Sequence, residues 1–196
     1  MANQIILLVG RRNSGKTNTA KILINEYYVS RGDVSRVLIA DTMDHPSYRG
    51  ISQIEPGFIH AWSTGTGVYR CYGSDPEERL SAICQKDESG NYYFNNGLLV
   101  VEDSVKFFTK GQIPKFFLNF IVDTKQFNND LILMFHAFGL IPPDLWRFAN
   151  RLVIHKTNES WQFVKGRVPA AGQIEKEFLE VQNSGNNYEK RTVILD

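Results

Sequence analysis

The sequence has few cysteines, no long apolar run and almost no excess of charge of either sign. Its 196 residues include two cysteines, Cys71 and Cys84, which form neither a CxxC pair nor a zinc signature. This argues against a metal ribbon and a disulfide scaffold. The apolar run from Ile5 to Val9 is too short for a signal peptide or a membrane helix. We therefore expect a soluble, intracellular protein with reduced thiols and no intrinsic membrane segment.

The balance of charge limits how the chain could contact nucleic acid. Lys plus Arg total 22 and Asp plus Glu total 21, for a net charge of +1. Any nucleic-acid contact must therefore come from a local patch or from repeated subunits. Hydrophobic residues at 42% and charged residues at 22% are ordinary globular values, which excludes wholesale disorder. The length predicts a single domain over residues 1–196, with a C-terminal helix and strand extension from about residue 173.

Buried-type apolar runs alternate along the chain with segments of helical periodicity. The pattern predicts strands at 4–9, 36–41, 67–72, 98–101, 130–135, 150–155 and 191–195, and helices at 16–28, 75–85, 142–148, 173–182 and from 114 onward. This alternation is typical of an α/β domain with a mostly parallel central sheet flanked by helices. Ligands bind such sheets at the carboxyl ends of the strands.

The segment after the first strand matches the phosphate-binding pattern GxxxxGK[ST]. It reads GRRNSGKT and opens an amphipathic helix, which is the context this motif requires. Glycines let the backbone curl around phosphate oxygens, and successive N–H groups at the helix start face the anion. Lys16 is expected to reach the β- and γ-phosphates, and Thr17 to hold Mg²⁺. The predicted nucleotide-binding residues are Gly10, Arg11, Arg12, Asn13, Ser14, Gly15, Lys16, Thr17 and Asn18.

Two acidic residues follow the buried strand LLVV. An acid at this position binds Mg²⁺ through water, and a second acid polarises the attacking water, as in a Walker B strand. By position Glu102 is the metal acid and Asp103 the water activator, but both stay candidates for either role. Asp41 also ends a strand, where it could approach Mg²⁺ or cap a loop.

Further candidate residues follow later strands. His136 comes directly after the strand that ends at Phe135, where P-loop ATPases with an inserted strand between the two Walker strands carry a polar sensor of the γ-phosphate or water. Candidate arginine fingers, supplied by a neighbouring subunit, are Arg147, Arg151 and Arg167, with Arg151 favoured. The predicted catalytic set is Lys16, Glu102, Asp103, His136 and Arg151.

With these residues in hand, the chain resembles the FtsK/HerA branch of P-loop ATPases, and within it the small genome-packaging ATPases of membrane-containing viruses. The resemblance runs from Gln4 to about Thr157 and rests on GRRNSGKT, LLVVED and DLILMFHAFGLIPPDLWRFANRLVIHKT. The chain departs from the family pattern at His136, where Gln is usual, and in the order Glu102-Asp103, where Asp-Glu is usual.

The resemblance implies a RecA-like core, assembly into a homo-oligomeric ring, and ATP hydrolysis with Mg²⁺ that translocates or packages DNA. The DNA is expected to be double-stranded, with viral capsid or portal proteins as further partners. The expected location is the host cytoplasm or the virion. Two alternatives stay open: a small-molecule phosphotransferase such as a nucleoside or nucleotide kinase, and a nucleotide-dependent assembly switch.

Overall fold

Seven strands form one sheet in the computed structural model, which describes residues 3–30, 34–42, 44–62, 65–73, 75–108 and 111–195. The strands are β1 (Ile5–Val9), β2 (Arg36–Ala40), β3 (Gly67–Cys71), β4 (Gly97–Val101), β5 (Asp130–Phe135), β6 (Arg151–His155) and β7 (Lys190–Ile194). Their order in the sheet is β3-β2-β4-β5-β1-β6-β7. All neighbouring pairs are parallel except β6 and β7, which run antiparallel.

Strand β5 lies between the two strands that carry the predicted phosphate loop and the predicted acids. It pairs with β1 from Ile5↔Leu131 onward and with β4 from Leu98↔Asp130 onward. The carboxyl ends of β1, β4 and β5 therefore meet at one edge of the sheet. This confirms the predicted inserted strand and brings the phosphate loop, the acidic pair and His136 to the same edge.

Helices cover both faces of the sheet. They are α1 (Lys16–Ile24), α2 (Pro76–Ile83), α3 (Lys115–Asp123), α4 (Trp161–Val164) and α5 (Ala171–Asn183). Because side chains alternate along each strand, Leu7 and Leu133 pack on one face with α2, α3, α4 and α5, while Leu8 packs on the other with α1. Among the described residues, no helix combines the length and the apolar character needed to cross a membrane.

The structure differs from the predicted elements at a few boundaries. The helix expected over 16–28 is α-helical only to Ile24 and continues as a π-helix over Asn25–Ser30. The segment after the Pro142-Pro143 pair is a 3-10 helix, Pro143–Arg147. The sequence did not predict α4, because four residues are too few to show a helical period. The predicted C-terminal strand joins the sheet as β7, beside β6.

Candidate nucleotide-binding site

The two glycines of the phosphate loop are required for different reasons. A Cβ on Gly10 would lie 2.5 Å from Cβ of His155 and 2.8 Å from Oγ of Ser14, so the ends of β1 and β6 approach closely only because no side chain is present. Gly15 has a φ of +92°, in the left-handed region where other residues are strained. The loop therefore depends on close packing at its start and on backbone conformation at its end.

Lys16 lies against the loop that precedes it. Its ammonium group donates hydrogen bonds to the carbonyl oxygens of Gly10, at 2.6 Å, and Arg11, at 2.9 Å. Burial lowers the pKa of Lys16 to about 8, and the nearby carboxylates Glu102 and Asp103 oppose that shift. The Lys16 ammonium group is therefore poorly solvated, which favours the binding of an anionic ligand beside it.

Glu102 is held in a buried position between α1 and a 3-10 helix. The hydroxyl of Tyr48, in the 3-10 helix Pro46–Tyr48, donates to Oε1 of Glu102 at 2.6 Å, and Thr17 lines the same cavity as this carboxylate. Burial raises the pKa of Glu102 above its usual value, although the hydrogen bond from Tyr48 and the nearby Thr17 side chain favour the ionised form. Sequence reasoning missed Tyr48, which lies 54 residues away from Glu102 in the chain.

His136 connects the lysine of the phosphate loop to Asp103. Its Nδ1 lies 3.3 Å from Nζ of Lys16, and its Nε2 lies 3.4 Å from Oδ1 of Asp103. Because an ammonium group can only donate, Nδ1 is the acceptor, so Nε2 carries the proton and donates to the carboxylate. The hydrogen bond from His136 is the largest factor that lowers the pKa of Asp103, and an ion pair with Lys106 adds to it. Asp103 is therefore an ionised acceptor at neutral pH.

Asp41, whose role the sequence left open, stabilises the loop that follows β2. Its Oδ2 accepts a hydrogen bond from the backbone N–H of His45 at 2.8 Å and lies 3.6 Å from Nη1 of Arg70. His45 in turn begins the 3-10 helix that carries Tyr48, through a hydrogen bond from Ser47 N to His45 Nδ1. Asp41 thus acts on the site through the loop that positions Tyr48.

Most of the predicted residues meet around one cavity of about 620 Å³. It is lined by Arg12, Asn13, Ser14, Gly15, Lys16, Thr17, Asp41, Thr42, His45, Glu102, Asp103, Lys106, His136 and Tyr188. Three residues of the predicted nucleotide-binding set lie elsewhere. Asn18 lines a second cavity beside α1, Gly10 packs against His155, and the guanidinium of Arg11 contacts Asn158 and Asn187 on loops beyond the sheet edge.

The three arginine-finger candidates lie away from this cavity. Arg151 is at the amino end of β6, paired with Ile6, whereas the phosphate loop follows the carboxyl end of β1; about 13 Å of strand separates the two ends. Arg147 is exposed beside Asp144, and Arg167 lies 3.5 Å from the ring centroid of Phe163. A finger from any of them must act on a neighbouring subunit, which remains a prediction.

The residues around Glu102 fit a magnesium ion. The Thr17 hydroxyl and the Glu102 carboxylate both offer oxygen ligands in the wall of the same cavity. Among the residues that the structure describes, no group of three or more His, Cys, Asp or Glu side chains could enclose a metal ion. This donor set suits Mg²⁺, which takes one or two protein oxygens and completes its shell with phosphate and water.

Solved structures with the same fold include viral and bacterial proteins, although the sequence matches no protein-family model and no curated protein. The genome packaging NTPase B204 from Sulfolobus turreted icosahedral virus 2, in complex with ATP-gammaS, superposes with a TM-score of 0.73 at 14% identity, covering 99% of this chain and 93% of that chain. B204, the DNA-packaging ATPase from Sulfolobus turreted icosahedral virus, gives 0.71 at 12% identity, covering 100% and 94%. VirB4 of Thermoanaerobacter pseudethanolicus gives 0.62 at 9% identity, covering 99% and 90%.

The chain therefore has the RecA-like P-loop NTPase fold, with a mostly parallel sheet flanked by helices, as predicted. The predicted resemblance to viral packaging ATPases is confirmed at the level of the fold, since B204 matches over nearly the whole of both chains.

Proposed function

We propose that this protein is an ATP-hydrolysing motor that translocates or packages DNA. The observation that carries the proposal is the contact series from Lys16 through His136 to Asp103 at the edge of a sheet with the inserted strand β5. In this series the imidazole of His136 links the ammonium group of Lys16 to the ionised carboxylate of Asp103. The two B204 proteins that share this fold are described as genome- or DNA-packaging enzymes, which supports DNA as the substrate that is moved.

The site divides the chemistry of hydrolysis between its residues. Lys16 and the N–H groups of the phosphate loop neutralise charge on the triphosphate, which is the main requirement of phosphoryl transfer. Asp103 accepts a hydrogen bond from the attacking water and orients it. His136, in contact with both Lys16 and Asp103, responds to the γ-phosphate and holds the carboxylate in place.

Thr17 and Glu102 are the residues that would hold Mg²⁺ with the nucleotide. When bound with the nucleotide, Mg²⁺ would supply positive charge that offsets the charge developing on the phosphates during hydrolysis. Tyr48 occupies Oε1 of Glu102 and thereby fixes the orientation of the carboxylate. This division keeps Glu102 as the metal acid and Asp103 as the water activator, with the order of the two side chains reversed from the usual pattern.

An ATP hydrolysis assay with and without double-stranded DNA tests the proposed function. Turnover is expected to rise with DNA, because DNA is the substrate that the proposed motor moves. It is also expected to rise with protein concentration, because the complete site requires an arginine from a second subunit. Lys16→Ala should abolish tight ATP binding while the fold is retained, since its charge faces the ligand. Lys21→Ala, which removes an exposed cation from the same helix, is the matched control and should keep parental binding and turnover.

Two outcomes would refute this function. If the Lys16→Ala variant binds Mg-ATP as the parent does, the phosphate site is assigned incorrectly. If turnover is insensitive to DNA and the protein stays monomeric with ATP and DNA, the motor is wrong. Phosphate transfer to a nucleoside or nucleotide acceptor would then identify a phosphotransferase.

A further inference from the structure

A second cavity of about 410 Å³ lies beside α1 and adjoins the first. Gly15 and Tyr188 line both cavities, so a ligand can extend from one to the other past the end of the phosphate loop. The remaining residues around the second cavity are Asn18, Thr19, His155 and Lys190. Its volume is within the range of sites that take small organic molecules.

Tyr188 lies at the junction of the two cavities with most of its surface in solvent. Its ring edge approaches Gly15 so closely that a Cβ there would lie 3.3 Å from Cδ1 of Tyr188. Nevertheless 68% of the residue remains exposed. The Tyr188 ring offers a flat surface to a planar ligand, because one side lies against the phosphate loop and the other side is open.

The segment that carries Tyr188 is attached to the phosphate loop by several contacts. Arg11 donates to Oδ1 of Asn187 at 3.1 Å, and Lys190 donates to Oγ1 of Thr19 at 3.2 Å. The N–H of Tyr188 itself donates to Oδ1 of Asn186 at 2.9 Å. These contacts hold the connector between α5 and β7 on both sides of the ring, which places the ring before any ligand arrives and limits the entropy lost on binding.

His155 forms a neutral inner wall for this cavity. Its Nδ1 lies 2.8 Å from the carbonyl oxygen of Ser14, so Nδ1 carries the proton and donates. Burial is the main cause that lowers the pKa of His155 to about 4. The wall therefore carries no charge near neutral pH, and the charge at the cavity comes from Lys190 at its rim. A planar, uncharged ring with polar edges matches this environment better than a further phosphate.

We propose that the second cavity binds the nucleoside part of the nucleotide, with Tyr188 stacked on the base. This inference rests on the proposed function, because it assumes that the triphosphate occupies the first cavity. Stacking on an aromatic ring accepts any base, since every base has a π-face, and larger purines gain more contact than pyrimidines. The connector that follows α5 thus completes the nucleotide site from outside the phosphate loop.

Equilibrium binding of ATP and of inorganic tripolyphosphate to the full chain separates base contacts from phosphate contacts. Tyr188→Ala should weaken ATP binding by about 5- to 150-fold, the range measured for aromatic–base stacking, and leave tripolyphosphate binding at the parental level. Tyr188→Phe should keep the parental affinity for ATP. Tyr188→Trp should show fluorescence quenching by ATP but not by tripolyphosphate. Phe58→Ala removes an aromatic ring of similar exposure outside both cavities and should change neither affinity.

Either of two results would overturn this proposal while leaving the proposed function intact. One is parental ATP affinity in Tyr188→Ala. The other is an equal loss of ATP and tripolyphosphate affinity, which would mean that Tyr188 only supports the phosphate loop. If the parent protein binds neither ATP nor tripolyphosphate, the proposed function fails, and this proposal fails with it.

Discussion

Tyr48→Phe tests whether a buried tyrosine positions the metal acid. The substitution removes one hydroxyl from a fully buried ring and leaves Oε1 of Glu102 without its 2.6 Å donor. A hydrogen bond to a charged group contributes about 1.5–3 kcal/mol to folding stability. We expect a loss of about 1.5–3 kcal/mol in the free energy of unfolding, measured by urea denaturation without Mg²⁺ at a pH above the folded-state pKa of Glu102.

The sign of the pH dependence follows from the pKa of Glu102. Burial raises this pKa in the folded state, so folding becomes less favourable as pH rises through the folded pKa and the carboxyl ionises. Tyr48 favours the ionised form, and its removal raises the pKa further. The destabilisation should therefore shrink to about 0.5–1.5 kcal/mol once the pH is low enough to protonate Glu102, because only a bond between neutral groups is then lost.

Magnesium dependence distinguishes positioning from simple stabilisation. Removing a group that orients a metal ligand typically costs about 10- to 100-fold in metal affinity. Tyr48→Phe should raise by this factor the Mg²⁺ concentration that half-saturates binding of a non-hydrolysable ATP analogue. Tyr92→Phe is the matched control, because Tyr92 is also buried and donates to a carboxylate, Asp123 at 2.9 Å, away from the site.

The control should lose stability without a change in Mg²⁺ dependence. If Tyr48→Phe unfolds like the parent above the folded-state pKa of Glu102 and shows the parental Mg²⁺ titration, the hydrogen bond does not position Glu102. If both tyrosine variants shift the Mg²⁺ titration equally, the effect is one of general stability and the reasoning is also wrong.

Two further predictions concern catalysis. Asp103→Asn should bind Mg-ATP but lose about 10²–10⁴-fold in turnover. Glu102→Gln should instead weaken the Mg²⁺-dependent binding of ATP. Parental turnover in both variants would refute the Walker B assignment. Arg151→Ala should lower turnover by about 10³-fold or more with little change in ATP affinity, because the finger contacts charge that develops only in the transition state. Mixing that variant with Lys16→Ala should restore part of the activity by forming interfaces with an intact lysine and an intact arginine, and no gain in any mixture would refute a shared site.

The position of the GRRNSGKT loop between a strand and a helix was predictable because the motif is contiguous in the chain. Two glycines, a lysine and a threonine occur within eight residues, directly after a buried strand and at the start of a helix. The inserted strand was also predictable, because uninterrupted apolar runs are typical of strands buried on both faces. Parallel pairing then brings residues at the carboxyl ends of β4 and β5, such as Glu102 and His136, to the same edge as the loop.

The partners of those residues depend on contacts between distant parts of the chain. Arg11 lies inside the motif and Asn18 directly follows it. Only the fold shows that Arg11 reaches Asn158 and Asn187 and that Asn18 lines the second cavity. The predicted strand at 150–155 already places Arg151 at a strand start, but only the fold shows that this strand pairs with β1 and that Arg151 lies opposite Ile6.

The sequence by itself determined the α/β class and the placement of the GRRNSGKT loop and of Glu102-Asp103 at strand ends, because each arises from local patterning or from a short motif. Only the tertiary structure decided that Tyr48 holds Glu102, that His136 joins Lys16 to Asp103, and that Tyr188 borders both cavities. The physical reason is that a buried hydrogen bond or a cavity wall requires two surfaces brought together by packing. Residue spacing along one strand or loop does not specify which surfaces those are.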